Sequence, residues 1–211
     1  MFSICDRRLI EYTWFMGTDP DASVDPRVAR THRDVVRTAA DLLMSGGWDT
    51  VTHAEVARRA GYSKATLYAH WPTRLDLIRD AVTQICDEAR HPEPGGDLRT
   101  DLVTGLTDFA QDLTGRLARV LGGVIERSGT DPVVEELRRL LYDTGTRMLR
   151  TVLETHLDAR DVDPVLALLA GGIFVRIAFE GLVATPELIE DLVVRALASV
   201  QLPAGSDGQA S

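Results

Sequence analysis

The segment Thr52–Trp71, THAEVARRAGYSKATLYAHW, carries the chain's only lysine, Lys64, and decides how the chain is read. Thr52 with Glu55 three residues on spells a capping box and starts a helix at His53. Val56 and Ala57 lie on its inner face, and the small Ala57 lets a second helix pack close across it. Gly61 can take the left-handed conformation that ends this helix and turns the chain. Ser63 then caps a second helix, running from Lys64 to about His70. Leu67 and Trp71, four apart, face inward and leave Lys64, Ala65, Thr66, Tyr68 and His70 outside. Pro72 stops this helix, and Thr73, with Asp76 three residues on, caps the next. Two short helices about a glycine turn are the form that lays one helix in the major groove of DNA.

The outer row has the chemistry for that task. Lys64 can donate to guanine O6 or N7 or to a phosphate, and the Thr66 methyl can pack on thymine. Ala65 permits close approach to base edges. Tyr68 and His70 can donate to phosphate oxygens, which fixes register without reading sequence. Thr52 and Arg74 lie at helix N-termini, where backbone N–H groups favour a phosphate. Arg27, Arg30 and Arg33 are placed to reach the backbone from the first helix. The net charge of -9 argues against a generally basic nucleic-acid binder, but it hides an asymmetry. Residues 25–75 carry eight basic and five acidic side chains, a balance of +3, whereas residues 91–211 carry eleven and nineteen, a balance of -8. A basic module on an acidic body still directs one face at phosphate.

Outward from this segment the chain reads as helices throughout. Asp25-Pro26, Asp131-Pro132, Asp163-Pro164 and Thr185-Pro186 each place a capping side chain before a proline, a helix start code. From Pro26, Val35, Val36, Ala39, Leu42 and Leu43 keep helical spacing until Gly46-Gly47. The rows Leu98 to Leu117, Val134 to Val152 and Leu188 to Val200 do the same. No stretch alternates with period two, so the spacing predicts an all-α fold of about nine helices. Residues 1–24 read as a disordered extension, with Met16 a hypothetical initiator, 91–96 (HPEPGG) as a linker and 203–211 as a disordered tail. The boundaries expected are a DNA-binding domain over 25–75 and a helical body over 76–202.

Cys5 and Cys86 suit neither a disulfide framework nor a zinc site and read as thiols. Pro164–Ala184 is apolar, but Arg176 and Glu180 interrupt it short of the ~20 residues a membrane span needs, so it reads as a buried helix over 164–184. With no secretory signal, the expectation is a cytoplasmic protein that meets no membrane. No Ser/His/Asp grouping, no H-E-x-x-H and no phosphate-binding glycine loop is present, which leaves an all-α enzyme the weakest reading. The five histidines, at 32, 53, 70, 91 and 156, form no site by spacing, and neither metal nor cofactor is expected.

With those residues in place, TVTHAEVARRAGYSKATLYAHWPTRLDLI resembles the DNA-binding domain of TetR-family transcriptional regulators over about residues 27–80. The family's places are filled by Thr52, Ala57, Gly61, Ser63, Leu67, Tyr68, His70, Trp71 and Arg74, with Trp71 and Arg74 standing for the more usual phenylalanine and lysine. The resemblance implies a homodimer in which the last two long helices of each subunit pack as a four-helix bundle. Leu168, Gly171, Gly172, Leu188 and Leu192 suit that role. It also implies an effector cavity in the body, for which Phe109, Leu113, Met148, Phe174, Arg176 and Phe179 are the candidate lining residues. The same residues read more readily as core, since an apolar stripe is usually core, and Arg176–Glu180 as a simple ion pair or an interface contact. The expected function is a dimeric repressor that binds a palindromic double-stranded DNA operator and is released by a small apolar effector. The alternative is a DNA-binding regulator or architectural protein with no small-molecule ligand.

Overall fold

The structure, a computed structural model, describes residues 26–115 and 117–200. The expectations for Asp25, Met16, Cys5, the N-terminal extension and the C-terminal tail lie outside the described residues. Among the described residues the chain forms ten α-helices and no strand. They are α1 (Pro26–Gly46), α2 (His53–Ala60), α3 (Lys64–His70), α4 (Arg74–Glu88), α5 (Leu98–Thr114), α6 (Leu117–Arg127), α7 (Pro132–Gly145), α8 (Arg147–His156), α9 (Ala159–Phe174) and α10 (Pro186–Ala198). A 3-10 turn spans Trp48–Thr50, and a π-turn, Val175–Phe179, extends α9.

The chain divides within α1 into one unit up to Asp34 and another from Val35 on. In the described part of the first, Arg27, Arg30 and Arg33 are exposed, and Arg30 Nε lies 3.9 Å from the Asp34 carboxylate.

Two apolar clusters organise the second unit. The first gathers the inner face of α1 from Val35 to Leu43, Val56 of α2, Leu67 and Trp71 at α3, and the α4 stripe Leu77, Ile78, Ala81, Val82 and Ile85. It takes in Val120 and Val124 of α6 and Val134 and Leu137 of α7 as well. Fully burying such an aliphatic side chain contributes about 1.5–3 kcal/mol. The first core therefore runs past residue 75 and fastens α6 and α7 to α1 and α4. The second gathers α5, α8, α9 and α10 around Leu102, Leu106, Leu149, Leu166, Leu169 and Val193. Residues 89–97 connect α4 to α5, as the HPEPGG composition suggested.

The structure corrects four readings of the sequence. The row Leu98–Leu117 is broken at Gly115, which separates α5 from α6. The row Val134–Val152 is broken at the buried Thr146, whose hydroxyl donates to the Tyr142 carbonyl at 2.7 Å. Asp163-Pro164 is not a helix start, because Pro164 lies inside α9. Val162 belongs to the same buried row as Leu166, Leu169 and Ile173, and beginning the helix at Ala159 buries it. Burial of Val162 works against the cost of a proline inside the helix, which removes one backbone bond and crowds the carbonyl four residues back. Asp163 pairs instead with Arg150 of α8 at 2.9 Å. The helix expected over 164–184 also ends earlier, since Gly181 at φ 66° turns the chain after the π-turn.

Candidate nucleic-acid interface

Local chemistry builds α2, the turn and α3 as the sequence indicates. The Thr52 hydroxyl accepts the Glu55 N–H at 3.2 Å. Gly61 sits at φ 77°, ψ 28°, and a Cβ there would meet no atom within 4 Å, so its backbone angle and not crowding calls for glycine. The N–H groups of Gly61 and Tyr62 both reach the Ala57 carbonyl at 3.0 Å. Ser63 caps α3 by accepting the Thr66 N–H at 3.0 Å. The reciprocal half of the α2 capping box is absent, because the Glu55 carboxylate turns to Arg58 at 2.7 Å and Arg59 at 2.6 Å. Those two guanidiniums hold the Glu55 carboxyl down to about 2. The full box occurs at α4 instead, between Thr73 and Asp76.

On α3, Leu67 is buried while Lys64, Ala65, Tyr68 and His70 are exposed and Thr66 is half-buried. No acidic side chain lies on this helix. Lys64 makes no ion pair among the described residues. Part of the expected row is engaged locally. The Thr66 hydroxyl lies 2.8 Å from that of Ser63, and the Tyr68 ring stacks on His53 with centroids 4.1 Å apart and planes 14° from parallel. Tyr68 is still 53% exposed.

His53 is the residue that sequence reasoning missed. It is buried, and its Nε2 lies 2.7 Å from the Trp71 carbonyl oxygen. A carbonyl only accepts, so Nε2 carries the proton. His53 thus joins the first residue of α2 to the residue closing α3 and supports the Tyr68 ring between them. A helix-opening histidine eighteen residues from its partner leaves no mark in local spacing. The other end of Trp71 is fixed by its indole N–H, which donates to Asp80 of α4 at 2.8 Å.

Arg74 is placed otherwise than the phosphate contact expected of it. Its Nε donates to the Val51 carbonyl at 2.7 Å, and Nη2 donates to the Trp48 carbonyl and lies 3.3 Å from Asp49. The Asp76 carboxylate already accepts the Thr73 N–H at the start of α4. Arg74 therefore clamps the 3-10 turn that leads into Thr52. Arg127 of α6 meets the same turn from another helix, with its guanidinium carbon 5.1 Å from the Trp48 ring centroid.

In the body, Leu168, Gly171, Gly172, Leu188 and Leu192 come together in one open groove of about 510 Å³ between α9 and α10. Arg176 and Glu180, 2.9 Å apart, lie at this groove as well. Gly172 serves the chain's own packing, since a Cβ there would meet Leu192 at 3.1 Å, whereas Gly171 has open space. The cavity candidates do not converge. Phe109 and Met148 are buried in the second core and Leu113 packs at its edge. Phe174 lies edge-on to Phe179 at 6.0 Å, and Phe179 is 79% exposed. The α9 segment with its π-turn, Ala159–Phe179, is long and apolar enough to cross a membrane by length and composition, at mean hydropathy 1.9. One of its faces, however, builds the second core and another lines the groove.

A capped helix, a left-handed glycine turn and a second capped helix with a polar exposed row, set ahead of a helical body, define a helix-turn-helix DNA-binding regulator. The comparisons with known proteins agree. Residues 35–81 match the family of bacterial regulatory proteins of the tetR family, and residues 92–196 match the tetracyclin repressor-like C-terminal domain. The HTH-type transcriptional regulator AqdR of Rhodococcus erythropolis is 31% identical over 153 residues, covering 69% of this chain and 72% of that protein. The uncharacterized HTH-type transcriptional regulator YdeS of Bacillus subtilis is 29% identical over 190 residues, 86% of this chain and 96% of that protein. Among solved structures, the flavonoid-responsive regulator FrrA superposes with a TM-score of 0.59 at 24% identity, covering 81% of this chain and 95% of that one. The chain belongs to the TetR family of transcriptional regulators.

Proposed function

We propose that the protein is a dimeric repressor that reads an inverted repeat in double-stranded DNA, with α3 of each subunit in a major groove. The observation that carries the reading is the exposed, acid-free row on α3 centred on Lys64, held by the Ser63 cap and the His53–Trp71 bond. In this reading Lys64, Ala65 and Thr66 meet base edges, while Tyr68, His70 and the Thr52 end of α2 position the backbone. The apolar groove between α9 and α10 is the dimer face, lined by the exposed Leu168 and the half-buried Gly171. Two-fold symmetry then places the two recognition helices about 34 Å apart, or a multiple of one turn. The protein works in the cytoplasm, where its DNA is.

Control by a small apolar effector is supported by the likeness to FrrA, a flavonoid-responsive regulator, and by the family's C-terminal domain. The second reading, regulation of DNA without such an effector, is favoured by Phe109 and Met148, which are packed in the second core. Thermal shift against apolar compounds separates the two, because a ligand of the folded state raises the apparent midpoint.

The test of the main reading is a gel shift with the DNA upstream of the protein's own gene. Retardation confined to fragments holding an inverted repeat is expected, and equal retardation of scrambled repeats would refute it. Leu168→Glu leaves the core untouched and should convert the dimer to monomer in sedimentation, with loss of the specific shift. A variant that remains dimeric would remove this groove from the interface.

A further inference from the structure

The connector between α4 and α5 holds a histidine that the DNA-binding reading does not use. The His91 side chain is 10% exposed, and its Nδ1 lies 2.7 Å from an Asp108 carboxylate oxygen on α5. Its Nε2 is buried with no hydrogen-bond partner among the described residues. Asp112 lies one turn further along α5 on the same face as Asp108. One donor atom from each of His91, Asp108 and Asp112 falls within 4.8 Å of the others, and all three side chains are partly buried. Asp112 makes no hydrogen bond or ion pair among the described residues. Burial and the neighbouring Asp108 charge push its carboxyl above the usual range.

This arrangement is unfavourable on its own. Two carboxylates share a partly desolvated site with one imidazole, and a buried ring nitrogen is left unmatched. The frame around it is fixed. The Asp101 carboxylate accepts the N–H groups of Gly95 and Gly96, each at 2.8 Å, and Asp97 caps α5 by accepting the Thr100 N–H at 2.8 Å. The connector is therefore pinned to the first turn of α5 and presents His91 to its third. A divalent cation would neutralise the two carboxylates and engage Nδ1, the ring nitrogen that faces Asp108, in place of that hydrogen bond. One imidazole and two carboxylates suit a first-row transition ion, whereas Mg2+ and Ca2+ prefer oxygen alone.

We propose that His91, Asp108 and Asp112 bind one divalent transition-metal cation, of the Zn2+, Co2+, Ni2+ or Mn2+ class, where the α4–α5 connector meets α5. The three side chains leave coordination positions open to water or to a donor atom of a second ligand. The site sits on the stretch through which α4, packed in the first core, continues into α5 of the second. Ligation fixes that joint by tying His91 to α5. The inference goes beyond the DNA-binding reading and stands independently of it.

The test uses the full chain without an affinity tag, stripped with a chelator, dialysed and titrated with Co2+ by visible absorption and with Zn2+ by competition against a chromophoric chelator. One equivalent should bind at micromolar or tighter dissociation constant, with new visible absorption for Co2+. His91→Gln and Asp112→Asn should each weaken binding at least about tenfold, the scale on which metal sites respond to loss of a supporting group. His156→Gln should leave binding unchanged. Asp112→Asn is a partly exposed, nearly isosteric change, so it keeps the test valid should His91→Gln fail to fold. Absence of a stoichiometric equivalent in the wild-type chain would overturn the proposal. Binding in Asp112→Asn within twofold of wild type, or loss with His156→Gln alone, would overturn it too.

Discussion

Replacing His53 by alanine tests whether the recognition helix is held as described. The imidazole is 7% exposed, donates to the Trp71 carbonyl at 2.7 Å and stacks on Tyr68 at 4.1 Å. Taking this donor from a buried carbonyl costs about 1–3 kcal/mol. Loss of the ring pair adds about 0.5–1.5 kcal/mol. His53→Ala should therefore destabilise the protein by about 2–4 kcal/mol, a large share of a typical domain's stability. Tyr68→Leu removes the stack alone and should cost about 1 kcal/mol, since the tyrosine is half-exposed. The double variant should cost less than the sum of the two, by about 0.5–1.5 kcal/mol, because the stack is counted in both. Urea unfolding followed by tryptophan fluorescence measures all three, at one fixed protein concentration so that subunit association does not enter the comparison. A loss below about 0.5 kcal/mol for His53→Ala would refute the reasoning, since that is the scale of an ordinary surface change. So would a Tyr68→Leu variant as unstable as His53→Ala.

Arg74→Ala should destabilise the protein by about 2 kcal/mol, because the charged donor to the Trp48 and Val51 carbonyls is lost. Arg74→Lys should restore little of it, one ammonium being unable to span both carbonyls. If stability is unchanged and the salt dependence of DNA binding instead falls by about one counterion, Arg74 is a phosphate ligand and the clamp is wrong. Glu55 should titrate at about 2, far below the ordinary glutamate value of 4.5, as read by carboxyl carbon resonances. Because the folded value lies below the unfolded one, the Arg58 and Arg59 pairs support the fold fully above about 4.5, and this support is lost as pH falls through about 2. A Glu55 midpoint near 4.5 would show that the pairs do not persist in solution.

The reading head was legible because its signals are local. A cap, a left-handed glycine and an inner pair four residues apart each act within one turn of chain, and Thr52, Gly61, Ser63 and Leu67 do in the structure what spacing implies. What escaped is long-range. The partner of His53 is eighteen residues on, and Arg74 reaches back to carbonyls 23 and 26 residues earlier. The apolar rows run unbroken through Gly115 and Thr146 in the sequence, because the period reports which face is buried and not whether the backbone is continuous. Asp163-Pro164 is not a start code here because the helix begins at Ala159 and buries Val162 in the row of Leu166 and Leu169, a contact the local Asp-Pro pair does not register. The His91 cluster was invisible because Asp108 and Asp112 lie across the connector from it, and fold alone brings them together.

The central claim, that α3 meets DNA through its outer row, is tested most directly on Lys64. Because it is the only lysine, an amine-specific acylating reagent labels that side chain and otherwise only the chain's terminal amine. The rate of Lys64 acylation is measured by mass spectrometry of peptides, with and without a saturating operator fragment, using the terminal amine as internal reference. The account predicts that operator DNA slows labelling of Lys64 at least about tenfold, as for a side chain bound in a groove or to a phosphate. Labelling of Lys64 at an unchanged rate on fully bound protein would contradict it.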